Sequence, residues 1–363
     1  MNTTFSERLL QWFDHHGRHD LPWQHPREPY RVWLAEIMLQ QTQVATVIPF
    51  FMRFLARFPD IGALAQAAPD DVLALWAGLG YYARARNLHR CAQMIVQDHH
   101  GKFPQDIESL VALPGIGRST AGAVLAQAFG QRHAILDGNV RRVLARHAAI
   151  GGWPGEPAVQ KKLWRVSEQL LPQTRLADYT QAIMDLGATV CTSRKPACGI
   201  CPLSDDCIAY KNGATLDYPT PKPKREHPRK RAWLLLIENA AGEVLCERRP
   251  PAGIWGGLWC PPVVDTEQSW TELCLLRYGL AVAAGQPLPA IRHSFTHFDL
   301  DLLPLRLPLA QPATVLSEPQ ARLWIKLGRQ IENSVGLPAP VRKLFESPNL
   351  SLDQLQCHEP FTA

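Results

Sequence analysis

Leu113-Pro114-Gly115-Ile116-Gly117-Arg118-Ser119-Thr120-Ala121-Gly122 is the stretch on which the fold turns. A helical pattern ends near Leu113, a proline and two glycines interrupt it, and a second helical run opens around Ser119. That order predicts two helices joined by a tight hairpin. Glycine at positions 115 and 117 leaves backbone N–H groups uncovered and lets a phosphate come close, and the start of the second helix adds positive dipole. A Gly-x-Gly alone is most often just a helix–helix turn, so the stretch takes its meaning from what surrounds it.

Twenty residues beyond Gly117 lies Ile135-Leu136-Asp137-Gly138-Asn139-Val140-Arg141-Arg142-Val143-Leu144. An Asp directly before a helical pattern is an N-cap. A capping carboxylate accepts helix-terminal N–H bonds, so Asp137 is expected to have a lowered pKa and to stay ionised, a fixed negative charge suited to a cationic sugar. A second carboxylate, Glu36, sits in Val32-Trp33-Leu34-Ala35-Glu36-Ile37-Met38-Leu39-Gln40. Its helical neighbours Val32, Trp33 and Leu39 are apolar. Glu36 is therefore either the solvent-facing residue of an amphipathic helix or a desolvated, protonated carboxyl able to donate a proton. One ionised Asp and one protonated Glu form the division of labour that N-glycosidic cleavage needs.

Further along, Cys191, Cys198, Cys201 and Cys207 have the spacing C-x6-C-x2-C-x5-C. In a cytoplasmic chain, as this one is expected to be, such a cluster reads as metal binding before disulfide, and four thiolates hold either zinc or a [4Fe–4S] cluster. Upstream, Phe5–Phe13 and Val32–Phe54 show apolar residues at three- and four-residue spacing, with Pro59-Asp60, Pro69-Asp70-Asp71 and Pro104-Gln105-Asp106 as starts of helices. Residues 216–232 hold four prolines and six Lys or Arg and read as an extended basic linker. Beyond it, Trp233–Ile237 and Val244–Cys246 flank Asn239-Ala240-Ala241-Gly242, a hairpin pattern. Residues 1–231 carry 28 Lys and Arg against 20 Asp and Glu, and the remainder 10 against 13, so the first part is the one fitted to a polyanion. No apolar run is long enough to span a bilayer, and a cytoplasmic location is the expectation.

These strings together resemble the helix–hairpin–helix DNA glycosylases of the endonuclease III superfamily, and within it the MutY-type adenine DNA glycosylases. Leu21-Pro22-Trp23, Glu36–Val44, Leu75–Leu88, Asp137–Val140 and Met184–Ala188 carry the resemblance over nearly the whole chain. It implies an all-α helix–hairpin–helix glycosylase domain (residues 1–215, hairpin about 110–125, [4Fe–4S] loop 191–207), the linker 216–232, and an α+β Nudix-like domain (233–350). It implies a [4Fe–4S] cluster on the four cysteines, and as partner double-stranded DNA with an A:8-oxoguanine or A:G mispair, bound by a monomer with no membrane association. Glu36 would protonate the adenine and Asp137 stabilise the sugar cation or trap it covalently, while Ser119 or Glu36 would position or activate water. The bifunctional relatives carry a Schiff-base Lys where Ser119 stands, so the chain is expected to be monofunctional. Gly115 and Gly117 would bind backbone phosphate; Arg18, Leu21, Trp23 and Gln181 match positions around the extruded adenine; and Gln40, Gln41 and Tyr81 match those that wedge into the gap. Arg141 stands where some relatives have Lys.

In the second domain, Arg248–Pro262 matches the signature loop of the family's Nudix-like domain, but Leu273–Gly279 lacks the carboxylates of the R-E-x-x-E-E-x-G cluster that Nudix hydrolases use to hold metal. The scaffold is kept and the hydrolase chemistry lost. Phe295-Thr296-His297 matches the loop that recognises 8-oxoguanine, with Thr in place of the usual Ser. Two other readings remain at this point: an endonuclease III-like glycosylase of pyrimidine lesions, and a non-catalytic DNA-binding iron–sulfur protein.

Overall fold

Helix α1 (Phe5–His16) starts on a capping box: Glu7 N donates to Thr4 Oγ1, and Thr4 N donates to the Glu7 carboxylate at 2.7 Å. The computed structural model describes residues 3–223, 228–250, 253–265, 269–295, 297–311, 322–326, 328 and 335–347. It divides into two compact units, Met1–Ala67 with Arg86–Lys224, and Ala68–Ala85 with Arg225–Ala363. Among the described residues no helix is long and apolar enough to cross a membrane.

The helices continue as α2 (Pro29–Leu39), α3 (Val44–Arg57), α4 (Ile61–Gln66), α5 (Pro69–Leu75), α6 (Ala83–His99), α7 (Ile107–Ala112), α8 (Arg118–Phe129), α9 (Gly138–His147), α10 (Pro157–Gln169), α11 (Leu176–Thr189) and α12 (Ile208–Lys211). The expected caps are present: Asp60, Asp106 and Asp137 each accept a backbone N–H in the first turn of α4, α7 and α9. The apolar run Val32–Phe54 is two helices, because four polar residues, Gln40 to Gln43, interrupt it and Gln41 turns left-handed (φ 59°).

Helix α8 lies at the centre. Every residue from Ala121 to Gln127 is buried, and α2, α7 and α11 pack around it. It is apolar on nearly all sides, as a helix enclosed by others must be. Gly122 sets its closest approach: a Cβ there would stand 2.4 Å from the Ala134 carbonyl oxygen. Leu136, Val140 and Leu144 on the neighbouring segment and α9 join Phe13, Leu163, Ile183 and Leu186 in one core.

The second unit is built on a sheet with strand order β3-β2-β1-β7-β5, where β4 pairs β1, β6 pairs β7 and β8 pairs β2. The strands are β1 (Arg229–Glu238), β2 (Glu243–Arg248), β3 (Trp259–Cys260), β4 (Val263–Val264), β5 (Gln286–Pro287), β6 (Ile291–Ser294), β7 (Asp299–Pro308) and β8 (Arg322–Lys326), with helices α13 (Trp270–Tyr278) and α14 (Ala339–Phe345). The expected hairpin is formed by β1 and β2, closed by Asn239, whose side-chain oxygen accepts from Ala241 N and Glu243 N. The basic stretch read as linker ends earlier than expected. Arg229 and Arg231 already belong to β1, parallel to β7, where they face Asp299 and Asp301 across the ladder. Within this unit Arg248 pairs with Asp70 and Tyr82 Oη donates to the Leu337 carbonyl.

Candidate active site

Two carboxyls and the hydroxyl near them are arranged around α8. At its N-terminal end Ser119 Oγ accepts the Leu136 N–H at 2.9 Å, fixing the backbone one residue before Asp137. Two turns on, Gln127 Nε2 donates to Glu36 Oε1 at 3.2 Å. One helix thus braces the segments that carry both acids.

Glu36 is flanked on α2 by the buried Val32, Trp33 and Ile37. Glu36 itself is partly buried, which favours the desolvated reading over the solvent-facing one. Burial pushes its carboxyl up to about 8; the negative charge of Asp137 pushes the same way, and only the Gln127 bond opposes. Asp137 caps α9, with Oδ1 accepting Val140 N–H at 2.8 Å. The lowered pKa expected from this capping is not found. Burial raises the Asp137 carboxyl and outweighs the Val140 and Asn139 amides and the charges of Arg142 and Arg141. Sequence shows the cap but not the depth at which it sits. Asp137 remains the first of the pair to ionise, since its charge is what pushes Glu36 up and four influences hold it down. Arg141, the departure from some relatives, keeps its charge within reach of this carboxylate.

The hairpin forms as expected, with Ile116 N donating to the Leu113 carbonyl. Gly115 takes the left-handed conformation (φ 82°), whereas Gly117 is extended (φ −92°) and caps α8, with open space where its side chain would be. Gly117 leaves the helix N-terminus uncovered rather than making the turn.

Arg18 and Gln181 meet at a residue that carried no role in the sequence reading. Asp185, fully buried, accepts from Arg18 N (2.8 Å), Arg18 Nε (2.9 Å) and Gln181 Nε2 (2.7 Å). Gln181 Oε1 is left buried without a partner, as are both amide atoms of Gln24. Leu21 and Trp23 are buried, with Trp23 edge-on to Phe51 at 5.4 Å. Gln40 ends α2 and Gln41 follows it, exposed; Tyr81, in the other unit, is half exposed, and both Gln41 and Tyr81 have positive φ.

Cys191, Cys198, Cys201 and Cys207 line one recess with Val143, Arg146 and Leu186. Four thiols lining one recess are a donor set that either zinc or a [4Fe–4S] cluster takes. Helix α9 ties this loop to the acid pair. Arg142 donates to the Cys191 carbonyl (2.7 Å), Asn139 Oδ1 (2.8 Å) and the Gly187 carbonyl, and the buried Arg146 donates to Cys191 Sγ (3.3 Å) and the carbonyls of Thr192, Ser193 and Tyr218. Both cations satisfy carbonyls that a loop without regular structure leaves open.

In the second unit, Phe295 stacks on Phe298 (4.8 Å) and lies edge-on to His293 (4.6 Å), with Trp255 at 5.8 Å. His297 is exposed beside them, and Thr296 lies outside the described residues. Glu247, beside α13, accepts from Arg277 and from Tyr278 Oη, so this carboxylate is held in an ion pair. Sequence reasoning missed Gln127, Asp185 and Trp255. Asp185 and Trp255 lie inside the strings Met184–Ala188 and Arg248–Pro262, so each had a local signal; Gln127 gains significance only through a contact distant in sequence.

Known proteins resemble this chain along most of its length. Residues 34–169 match the HhH-GPD superfamily base excision DNA repair proteins, 191–207 the iron–sulfur binding domain of endonuclease III, and 232–347 the NUDIX domain. The loop 191–207 is therefore the seat of a [4Fe–4S] cluster. The chain is 37% identical over 342 residues to an adenine DNA glycosylase of Buchnera aphidicola subsp. Schizaphis graminum, covering 94% of this chain and 98% of the relative. It is 34% identical to the human adenine DNA glycosylase, covering 94% of this chain and 73% of that one. A solved thermostable thymine-DNA glycosylase is similar to the helical part, with 28% identity and a TM-score of 0.51, covering 57% of this chain and 95% of that chain.

The acid pair carries a stability signature. Unfolded, Glu36 ionises in the ordinary carboxyl range; folded, it stays protonated to about 8. Between those values the folded state binds the extra proton, so stability falls as pH rises through that window. Glu36→Gln removes this loss. Thermal midpoints are expected to show the variant gaining on the parent as pH rises from about 5 to about 8 and levelling beyond; a constant difference across that range contradicts a buried, protonated Glu36.

Proposed function

Because this chain belongs to the adenine DNA glycosylase family, we propose that it removes adenine mispaired with 8-oxoguanine or guanine in duplex DNA, with Glu36 as the acid and Asp137 as the anion. The observation that carries the reading is the pair of neighbouring carboxyls, one held protonated to about 8 and the other ionising first.

The adenine must leave the base stack to be reached, and a mispair lowers that cost. Once extruded, it lies by Arg18 and Gln181, where the unpartnered Gln181 Oε1 offers an acceptor to its amino group. The Glu36 carboxyl delivers its proton to adenine N7; the C1′–N9 bond breaks, its electron pair goes to the base, and adenine departs uncharged. The Asp137 carboxylate faces the sugar cation that remains. Water adds at C1′, its proton passes to the Glu36 carboxylate, and the acid is restored with an abasic site as product. Ser119 holds the Leu136 amide and with it the Asp137 backbone, and its hydroxyl is placed to position the water.

Backbone phosphates meet the uncovered start of α8 at Gly115 and Gly117. The [4Fe–4S] cluster, held by the four cysteines, stiffens the loop that exposes Arg194 and Lys195 to phosphate. Gln40, Gln41 and Tyr81 fill the gap left by the extruded base. The aromatic group of Phe295, Trp255 and His293, with Thr296 and His297, reads 8-oxoguanine in the opposite strand.

Single-turnover base release from duplexes holding A·8-oxoguanine, A·G or thymine glycol·A tests the reading. Adenine is expected from the first two and nothing from the third; release of the pyrimidine alone contradicts it. Glu36→Gln is expected to retain duplex binding and to lose release by at least about a hundredfold, and a near-normal rate reassigns the acid. Ser119→Lys places an amine where the lyases of the superfamily have theirs, so borohydride is expected to trap a covalent DNA adduct. No adduct under conditions that trap a true lyase contradicts the placement of Ser119 beside the sugar.

A further inference from the structure

The loop before Tyr81 is held more firmly than an exposed turn requires. Tyr81 is 50% exposed and left-handed (φ 49°), a conformation an aromatic residue rarely takes. Such backbone persists only where neighbours over-determine it. Gly78 (φ 99°) and Gly80 (φ 76°) make the approach possible. The Trp76 indole N–H donates to the Gly80 carbonyl at 3.0 Å, and the Arg84 guanidinium donates to the carbonyls of Leu79 (3.2 Å) and Gly80 (3.3 Å). Arg84 Cζ lies 5.3 Å from the centre of the Trp76 ring and 5.5 Å from that of Tyr81, so one cation is within cation–π reach of both aromatics. Arg84 N also donates to the Tyr81 carbonyl at 2.8 Å, making Tyr81 the residue on which α6 begins.

We propose that Arg84 is a positioning residue for Tyr81: it sets the angle of the exposed ring by stacking against it while pinning the two carbonyls just before it. The proposal rests on the reading of Tyr81 as the residue that fills the gap beside the extruded adenine. A ring already set at its working angle loses little conformational freedom on entering the duplex, and the extruded state gains accordingly. Lysine cannot replace Arg84 fully, because an ammonium lacks the flat face and the fork of donors that serve rings and carbonyls together.

The test uses the full chain with its cluster. Tyr81→Ala, Arg84→Ala, Arg84→Lys and the double alanine variant are compared by single-turnover adenine release and by the fluorescence of 2-aminopurine placed beside the mispair, which brightens on unstacking. Arg84→Ala is expected to lower both the fluorescence change and the rate by about tenfold, with Arg84→Lys in between and thermal midpoints near the parent's. The double variant is expected to be no worse than Tyr81→Ala, because Arg84 acts through that ring. If Tyr81→Ala is impaired while Arg84→Ala is unimpaired, or while the two losses add, the positioning role is overturned and the reading of Tyr81 stands. If Tyr81→Ala is itself unimpaired, the reading of Tyr81 falls and the proposal with it.

Discussion

Helix α8 presses so close to the 134–136 segment that a Cβ at position 122 would stand 2.4 Å from the Ala134 carbonyl, and the site depends on that approach. It brings Ser119 Oγ to the Leu136 amide, which sets where α9 begins and so where Asp137 sits. The same helix presents Gln127 to Glu36. Its own start is the hairpin that leaves amides open to phosphate. One buried rod therefore braces the hairpin and the segments that carry both acids.

Around that rod the electrostatics follow from burial. Desolvation raises both carboxyls, but their surroundings differ. Asp137 has the first amides of α9 and two arginines to hold its charge; Glu36 has one amide and lies in view of that charge. The outcome is asymmetric acidity from two residues of the same type, which is what an acid–anion pair requires. Helix α9 extends the arrangement, since Arg142 and Arg146 on its later turns bind the carbonyls of the cluster loop. The cluster loop and Asp137 thus share one element as their anchor.

Local chemistry was legible in the sequence. The caps at Asp60, Asp106 and Asp137, the turn at Gly115 and the Asn239–Gly242 hairpin depend on residues a few positions apart, and each is where the pattern put it. What was not legible depends on distant partners. The acidity of Asp137 reverses because the rest of the fold buries the cap. Arg229 and Arg231 read as linker until Asp299 and Asp301 face them across a parallel ladder. Gln127 carries no signal of its own, and the string around Asp185 was visible while the contacts that define its role, from Arg18 and Gln181, were not.

The central claim is that burial keeps Glu36 protonated at neutral pH so that it can serve as the acid. Its most direct test is the pH dependence of single-turnover adenine release. The rate is predicted to hold level into the neutral range and to fall above about 8, by about tenfold per pH unit. A rate already falling from about pH 5, as an ordinary carboxyl would give, or one level through about pH 10, would contradict it.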